Sequence, residues 1–311
     1  MESITLEQIE GQAAHAPAGE ALAAAAGGRE RAAAYLELTK PRITTLVLLT
    51  TAAGFSLGSQ GAFQLSLFAN TVVGVALLCS GVSALNEWWE RDLDALMRRT
   101  ASRPLPAGKL SPREAFLFGV ALTCAGEAYL AALVNPLSAL CGLGVVVGYL
   151  FLYTPLKTRT SLSTAVGAFP GAVPPLLGWA AASNTLGLEA WALFAILFLW
   201  QFPHFFAIAW MYREDYARAG VLMLPVVEPD GRLTKQQMVV WTLMLVPVSL
   251  APVALGISGS VYFAGALLLG ALFLATCVAA AVTLSRRNAR RVLLASVLYL
   301  PLLFGLMVMK I

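Results

Sequence analysis

Charge is what this sequence has least of. Asp, Glu, Lys and Arg make up 12% of its 311 residues, where a soluble domain carries about 25%. That shortage, beside 59% hydrophobic residues, excludes an ordinary water-soluble globule. Histidine is scarcer still: His15 and His204 are the only two, which excludes a multi-histidine metal centre. The four cysteines, Cys79, Cys124, Cys141 and Cys277, fall inside apolar stretches without metal-ligand spacing. They fit neither zinc nor a disulfide framework. Residues 1–35 contain no apolar core and lack the charged-then-apolar order of a secretion signal. They read as a mostly disordered cytoplasmic tail with short helical pieces.

What is there instead is a succession of apolar runs, each about the 20 residues needed to cross a bilayer as a helix. The expected spans lie at about 43–59, 68–89, 114–134, 137–154, 162–182, 189–211, 237–257, 261–284 and 292–309. The expected fold is all-α: a polytopic bundle of nine transmembrane helices over 36–311. Charge placement supports this count. The gaps after the first, third, fifth and seventh spans hold no Lys or Arg, and every basic residue except Lys310 falls on the other side. The positive-inside rule then puts the N-terminus in the cytoplasm and the C-terminus outside. The net charge of +4 follows from this loop bias and suggests no nucleic-acid partner.

The end of the second span carries the first chemical cluster. Asn86, Glu90 and Asp94 are spaced four apart, and at about 100° per residue they stack on one helix face, within roughly 80° of one another. An amide and two carboxylates on one face suit Mg²⁺, a hard cation that bridges carboxylates to substrate phosphates. Arg98, Arg99 and Arg103 follow at once, and guanidinium groups match phosphate oxygens. Topology alone explains basic residues in a cytoplasmic loop, but not three oxygen ligands on one face. Glu87 and Asp92 lie off that face and read as solvated or paired.

A second cluster ends the sixth span: His204 inside an apolar run, then Tyr212, Arg213, Glu214, Asp215 and Tyr216. An ionisable group in a membrane helix usually faces the bundle interior. His204 is therefore either functional or a neutral side chain bonded to a neighbouring helix. Glu214 and Asp215 are either a second carboxylate pair for a metal or a solvated helix end. Trp88, Trp89, Trp200, Trp210, Tyr153, Tyr212 and Tyr216 gather near the same edge, as an interfacial belt or as π faces for an allylic cation. The similar placement of the two clusters suggests two related halves. No role is read for the intramembrane Glu127.

These residues resemble the UbiA family of intramembrane prenyltransferases over roughly 35–310. The resemblance rests on Lys40-Pro41-Arg42, the Asn86, Glu90, Asp94 face, Arg99-Thr-x-x-Arg103-Pro104, Tyr153-Thr-Pro-Leu-Lys157, Gly171-Ala-Val-Pro174-Pro, and Pro203-His204-Phe with Asp215-Tyr216 and Met223-Leu-Pro225. The Arg-Thr-x-x-Arg-Pro and Pro-His-Phe elements point to the haem-farnesylating branch. So does the second motif, where Tyr212 and Tyr216 stand in place of the acids usual in the family.

The resemblance implies transfer of farnesyl from farnesyl diphosphate to haem B with addition of water, giving haem O for haem-copper oxidases. It implies Mg²⁺ on Glu90 and Asp94, with Asn86 orienting them and Asp215 a further ligand. Arg99 and Arg103 are expected on phosphate oxygens or haem propionates, and His204 on the haem iron or as an orienting group. Lys40, Arg42, Tyr153, Lys157, Tyr212, Asp215 and Tyr216 are expected to line the substrate site. The implied setting is the bacterial inner membrane, with the site facing the cytoplasm and haem A synthase as a partner. Two other readings stay open: a quinone-pathway aromatic prenyltransferase, and a non-catalytic haem carrier or transporter. Polar residues gathered at one membrane edge, rather than at midplane breaks, favour the enzyme.

Overall fold

The computed structural model describes residues 27–309, and every regular element among them is helical. Residues 1–26, which hold most of the expected tail and His15, lie outside the described residues, as do Lys310 and Ile311. Order begins earlier than composition suggests. Helix α1, Gly28–Leu38, occupies the end of the expected tail. It is held because Ala34 and Leu38 pack with Ala84, Leu105, Leu110 and Ala115, and Arg31 pairs with Glu114.

The long helices follow as α2 (Pro41–Gly58), α3 (Leu65–Leu96), α4 (Pro112–Leu133), α5 (Pro136–Leu156), α6 (Ser163–Ser183) and α7 (Leu188–Met211). The short α8 (Arg213–Arg218) leads to α9 (Arg232–Val248), α10 (Ser260–Val282) and α11 (Arg286–Val308). Proline opens α2, α4 and α5, where its missing N–H costs nothing. Ser111 and Glu114 close a capping box on α4, satisfying two otherwise orphaned donors.

Among the described residues, eight stretches are long and apolar enough to cross a membrane: α3–α7, α9 continued through Ala254, α10 and α11. The remaining expected span is α2, which packs along α6. Arg42 and four threonines dilute its apolar content, and the hydroxyls of Thr45, Thr50 and Thr51 turn back onto their own helix carbonyls. α6 and α7 are the central pair, 72% buried against 22–39% for the other six.

Small residues set the closest approaches. A Cβ at Gly54 would collide with the Pro175 carbonyl, and one at Gly178 with that of Thr51, so α2 and α6 run backbone against backbone. Gly81 and Gly126 do the same for α3 and α4. Such contacts hold membrane helices together, because lipid tails compete with larger apolar side chains.

Two departures from regular helix matter for the site. α3 has 32 residues, about 48 Å of helix, well beyond the roughly 30 Å hydrocarbon core. Its last turns therefore carry Asn86, Glu90 and Asp94 to the membrane edge. α5 changes to π-helix over Val147–Tyr153. Pro155 has no N–H to donate, and the Thr154 hydroxyl bonds the Tyr149 carbonyl at 2.8 Å. Widened turns of this kind are frequent at functional sites; this one ends on Tyr153, and Lys157 follows one helical turn later. The expected span at 237–257 is also broken: α9 stops at Val248, and one more helical turn follows at Ala251–Ala254. The break is satisfied by Tyr299, whose hydroxyl meets Ser249 Oγ at 2.7 Å, and by Tyr262, which donates to the Ser249 carbonyl.

Candidate active site

The α3 face forms as its spacing requires. Asn86 is 2% exposed, Glu90 7% and Asp94 1%. Burying such groups is unfavourable unless each finds a partner, and each does, from a different segment. The Lys40 ammonium donates to Asn86 Oδ1 at 2.9 Å. Lys157 Nζ lies 2.5 Å from Glu90 Oε1. The Arg103 guanidinium donates to Asp94 Oδ2 at 2.6 Å. Asn86 Nδ2 donates to the Thr154 hydroxyl at 3.2 Å, which ties the amide's orientation to the π turn. Breaking one such buried pair costs about 3–5 kcal/mol, so the cluster is interlocked.

Local backbone places the cations. Lys40 precedes Pro41 and adopts φ 47°, ψ 62°, a left-handed conformation that non-glycine residues rarely hold without structural support. Burial, with Arg103 and Lys157 nearby, pushes its ammonium down to about 8 despite Glu90 and Glu87. Burial also opposes charge on Lys157, but Glu90, Tyr153 and Tyr149 outweigh it and raise its pKa. Its Nζ sits 4.5 Å from the centre of the Tyr153 ring, a cation–π distance. Arg103 is likewise raised: Asp94, Glu87 and Glu90 overcome the burial penalty.

The second cluster is different chemistry. Asp215 is buried, but its carboxylate accepts from Arg218 at 3.1 Å, and Arg218 also donates to the Leu96 carbonyl. This fastens α8 to the end of α3. Glu214, beside it in sequence, is exposed. Arg99 donates to the Tyr216 hydroxyl at 3.3 Å, and its guanidinium carbon lies 5.1 Å from the Tyr212 ring centre and 5.8 Å from that of Tyr216. A guanidinium thus occupies the aromatic corner. The loop below joins both clusters, because the Leu222 N–H donates to the Lys157 carbonyl.

His204 stands apart from these groups. Its described contacts are stacking on Trp200, an edge contact with Phe205, and a 2.8 Å hydrogen bond between Nδ1 and Ser296 Oγ on α11. Ser296 Oγ also lies 2.7 Å from the Leu293 carbonyl, to which its hydroxyl can donate. In the His204 tautomer that carries its proton on Nδ1, Ser296 accepts from the ring and Nε2 keeps a lone pair. Arg42 is exposed and forms no ion pair among the described residues; its neighbour Lys40 reaches the cluster instead. Trp200 is 4% exposed and donates to the Ser296 carbonyl, so it is a packing residue and not part of an interfacial belt.

Sequence spacing missed Glu87. It is 1% exposed, with one oxygen lacking a hydrogen-bond partner; of the two expectations, solvated or paired, burial excludes the first. Its burial depends on structure outside α3, which helical periodicity does not register. An apolar groove of about 400 Å³ lies between α2 and α11, lined by Leu46, Leu49, Ala53, Leu300 and Phe304; none of the polar cluster lines it.

Two carboxylates and an amide oxygen at a membrane edge, ringed by cations and tyrosines, suit an anion carried with a divalent metal. Comparison with known proteins agrees. A sequence model described as the UbiA prenyltransferase family matches residues 47–300. The chain is 54% identical over 284 residues to the protoheme IX farnesyltransferase of Solibacter usitatus (strain Ellin6076), covering 88% of this chain and 97% of that one. It is 46% identical to proteins of the same name from Koribacter versatilis (strain Ellin345) and Salinibacter ruber (strain DSM 13855 / M31), again over 88% of its length and over 92% and 96% of theirs.

Among solved structures, one from work on digeranylgeranylglyceryl phosphate synthase superposes with TM-score 0.76 at 17% identity, covering 90% of this chain and 98% of that one. A UbiA homologue from Archaeoglobus fulgidus bound to GPP and Mg²⁺ superposes with TM-score 0.62 at 19% identity, over 88% and 99%. Matched in sequence along most of its length, and folded as those membrane enzymes are, this chain belongs to the UbiA prenyltransferase family.

Proposed function

We propose that the protein transfers a farnesyl group from farnesyl diphosphate to a vinyl group of haem B, with addition of water, giving haem O and diphosphate. The observation that carries this reading is the buried Asn86, Glu90, Asp94 face, with a basic side chain on each of its three oxygen groups. Oxygens already facing positive charge have the right character for Mg²⁺. Glu90 and Asp94 would hold it, with Asn86 orienting them, and Asp215, tied to Arg218, would stay structural. Mg²⁺ bound there supplies positive charge against the charge that builds on a departing diphosphate.

The chain's own groups do the remaining work. Lys40, Lys157 and Arg103 neutralise phosphate oxygens as the C1–O bond breaks and the electron pair leaves with diphosphate. Tyr153, backed by Lys157, and the Tyr212 and Tyr216 rings border the position of the allylic cation. The vinyl terminal carbon bonds C1, water adds to the resulting cation on the adjacent carbon, and a proton passes to solvent. Arg99, exposed at the aromatic corner, suits a haem propionate. The lone pair on His204 Nε2 suits the haem iron.

The haem acceptor is further supported by the relatives' name and by the arginine and tyrosine pattern that departs from a quinone-type second motif. We place the protein in the bacterial inner membrane, N-terminus inside, with its product passing to a haem A synthase for haem-copper oxidases. The test is incubation of purified protein with haem B, farnesyl diphosphate and Mg²⁺, followed by mass spectrometry for haem O. Prenylation of 4-hydroxybenzoate with no haem O would overturn the reading.

A further inference from the structure

Three cations sit where a divalent metal would have to enter. Lys40 comes from the start of α2, Arg103 from the loop after α3, and Lys157 from the end of α5, yet each ends on a different oxygen group of one α3 face, at 2.9, 2.6 and 2.5 Å. Mg²⁺ binds oxygen at about 2.0–2.1 Å, inside the space these nitrogens cover. A free metal ion would therefore have to displace them or approach against their charge. Displaced alone, the cations would lose their only described carboxylate or amide partners in a cluster that is largely buried. Diphosphate alone would draw the cations off and leave Glu90 and Asp94 buried without counter-charge, which is strongly unfavourable. Metal and diphosphate together solve both problems: the metal takes the α3 oxygens, and the phosphate oxygens take the cations. Lysine suits such an exchange, because its ammonium rides on a flexible four-carbon stem.

We infer that Lys40, Lys157 and Arg103 are exchange cations: Lys157 and Arg103 hold the metal-ligand oxygens of Glu90 and Asp94, Lys40 holds the Asn86 oxygen that orients them, and all three pass to the phosphate oxygens when metal and diphosphate enter as a pair. This rests on the magnesium-diphosphate reading above and adds the order of events to it. The site resists Mg²⁺ by itself and resists metal-free diphosphate. After the farnesyl group has left and diphosphate departs, the same cations return to Glu90 and Asp94 and help expel the metal. Linkage makes the coupling reciprocal: metal strengthens diphosphate binding by the same factor as diphosphate strengthens metal binding.

The test uses the full chain in detergent, with Mn²⁺ followed by electron paramagnetic resonance and inorganic pyrophosphate by calorimetry. Three titrants are compared: Mn²⁺ alone, pyrophosphate in chelator, and the preformed Mn²⁺–pyrophosphate complex. For the unaltered protein, each component alone should bind at least about tenfold more weakly than the complex. Lys157→Met should reverse this pattern, tightening Mn²⁺ alone by about tenfold and weakening the complex by a similar factor. Lys40→Met provides an independent variant should loss of Lys157 impair folding, which size-exclusion chromatography reports. If the unaltered protein binds the complex, but neither variant gains affinity for Mn²⁺ alone, the exchange is wrong and the metal-diphosphate site survives. If neither the unaltered protein nor a folded variant binds the complex, the site reading fails and the exchange with it.

Discussion

At the scale of single residues, the site is a set of charges that hold one another. Asp94 shows the consequence. Its side chain is 1% exposed in the ion pair with Arg103, and its main-chain carbonyl accepts from the Thr100 hydroxyl, fixing the turn that follows. Asp94→Asn keeps the shape and removes the charge. We expect turnover to fall on the order of 100-fold, measured per folded protein recovered by size-exclusion chromatography; haem O formation at the original rate would remove Asp94 from the metal site. Asn86, Glu90 and Asp94 were legible because a helix repeats about every 3.6 residues, and polar groups on one face of an apolar run need an explanation. Arg103 was legible from its place in the motif. Glu87 was not, since its cover is supplied by other segments. Nor was the pairing of Lys40 with Asn86 or of Lys157 with Glu90, because contacts between residues 46 or more positions apart leave no periodic trace.

At the scale of elements, helices were read more accurately than their ends. Apolar runs mark where lipid or packing requires a helix, but α3 continues past 89 to Leu96 on charged residues. Those last turns are held by Leu93, which packs against the cluster of Met97, Ala219, Val221 and Met223, and by Arg218, which donates to the Leu96 carbonyl. The π turn in α5 was hidden for a similar reason: Pro155 announces a disturbance, but the widened turn depends on Thr154 capping the Tyr149 carbonyl. Close helix contacts carry their own prediction. Gly126 of α4 faces the Leu78 backbone, with a Cβ there at 2.5 Å. Gly126→Leu should push α3 from α4 and cost about 1–3 kcal/mol, read as a lower thermal unfolding midpoint in detergent. An unchanged midpoint would mean that the α3–α4 seam is looser than drawn. Because α3 carries the candidate metal-binding face of Asn86, Glu90 and Asp94, activity should fall with the midpoint.

At the scale of the whole molecule, the protein is a multi-pass membrane enzyme, and its candidate site draws side chains from the end of α3, the loop after it and the end of α5. The orientation comes from loop charge alone and is tested by topology. A cysteine placed at Ser258, between α9 and α10, should react with a membrane-impermeant maleimide added to intact spheroplasts. One at Lys235 should react only after lysis; the opposite pattern would invert the protein and turn the site outward. Helix α1 packs beside the loop that carries Arg103, with Leu38 fully buried and Arg31 paired to Glu114. It therefore governs where the chain can be engineered. A version trimmed to residue 36, the boundary that composition suggests, would cut α1 in two, remove Arg31 and Ala34, and bare Leu105 and Leu110 beside the loop that carries Arg103. Fusion partners and purification tags belong upstream of Gly27, leaving this brace intact.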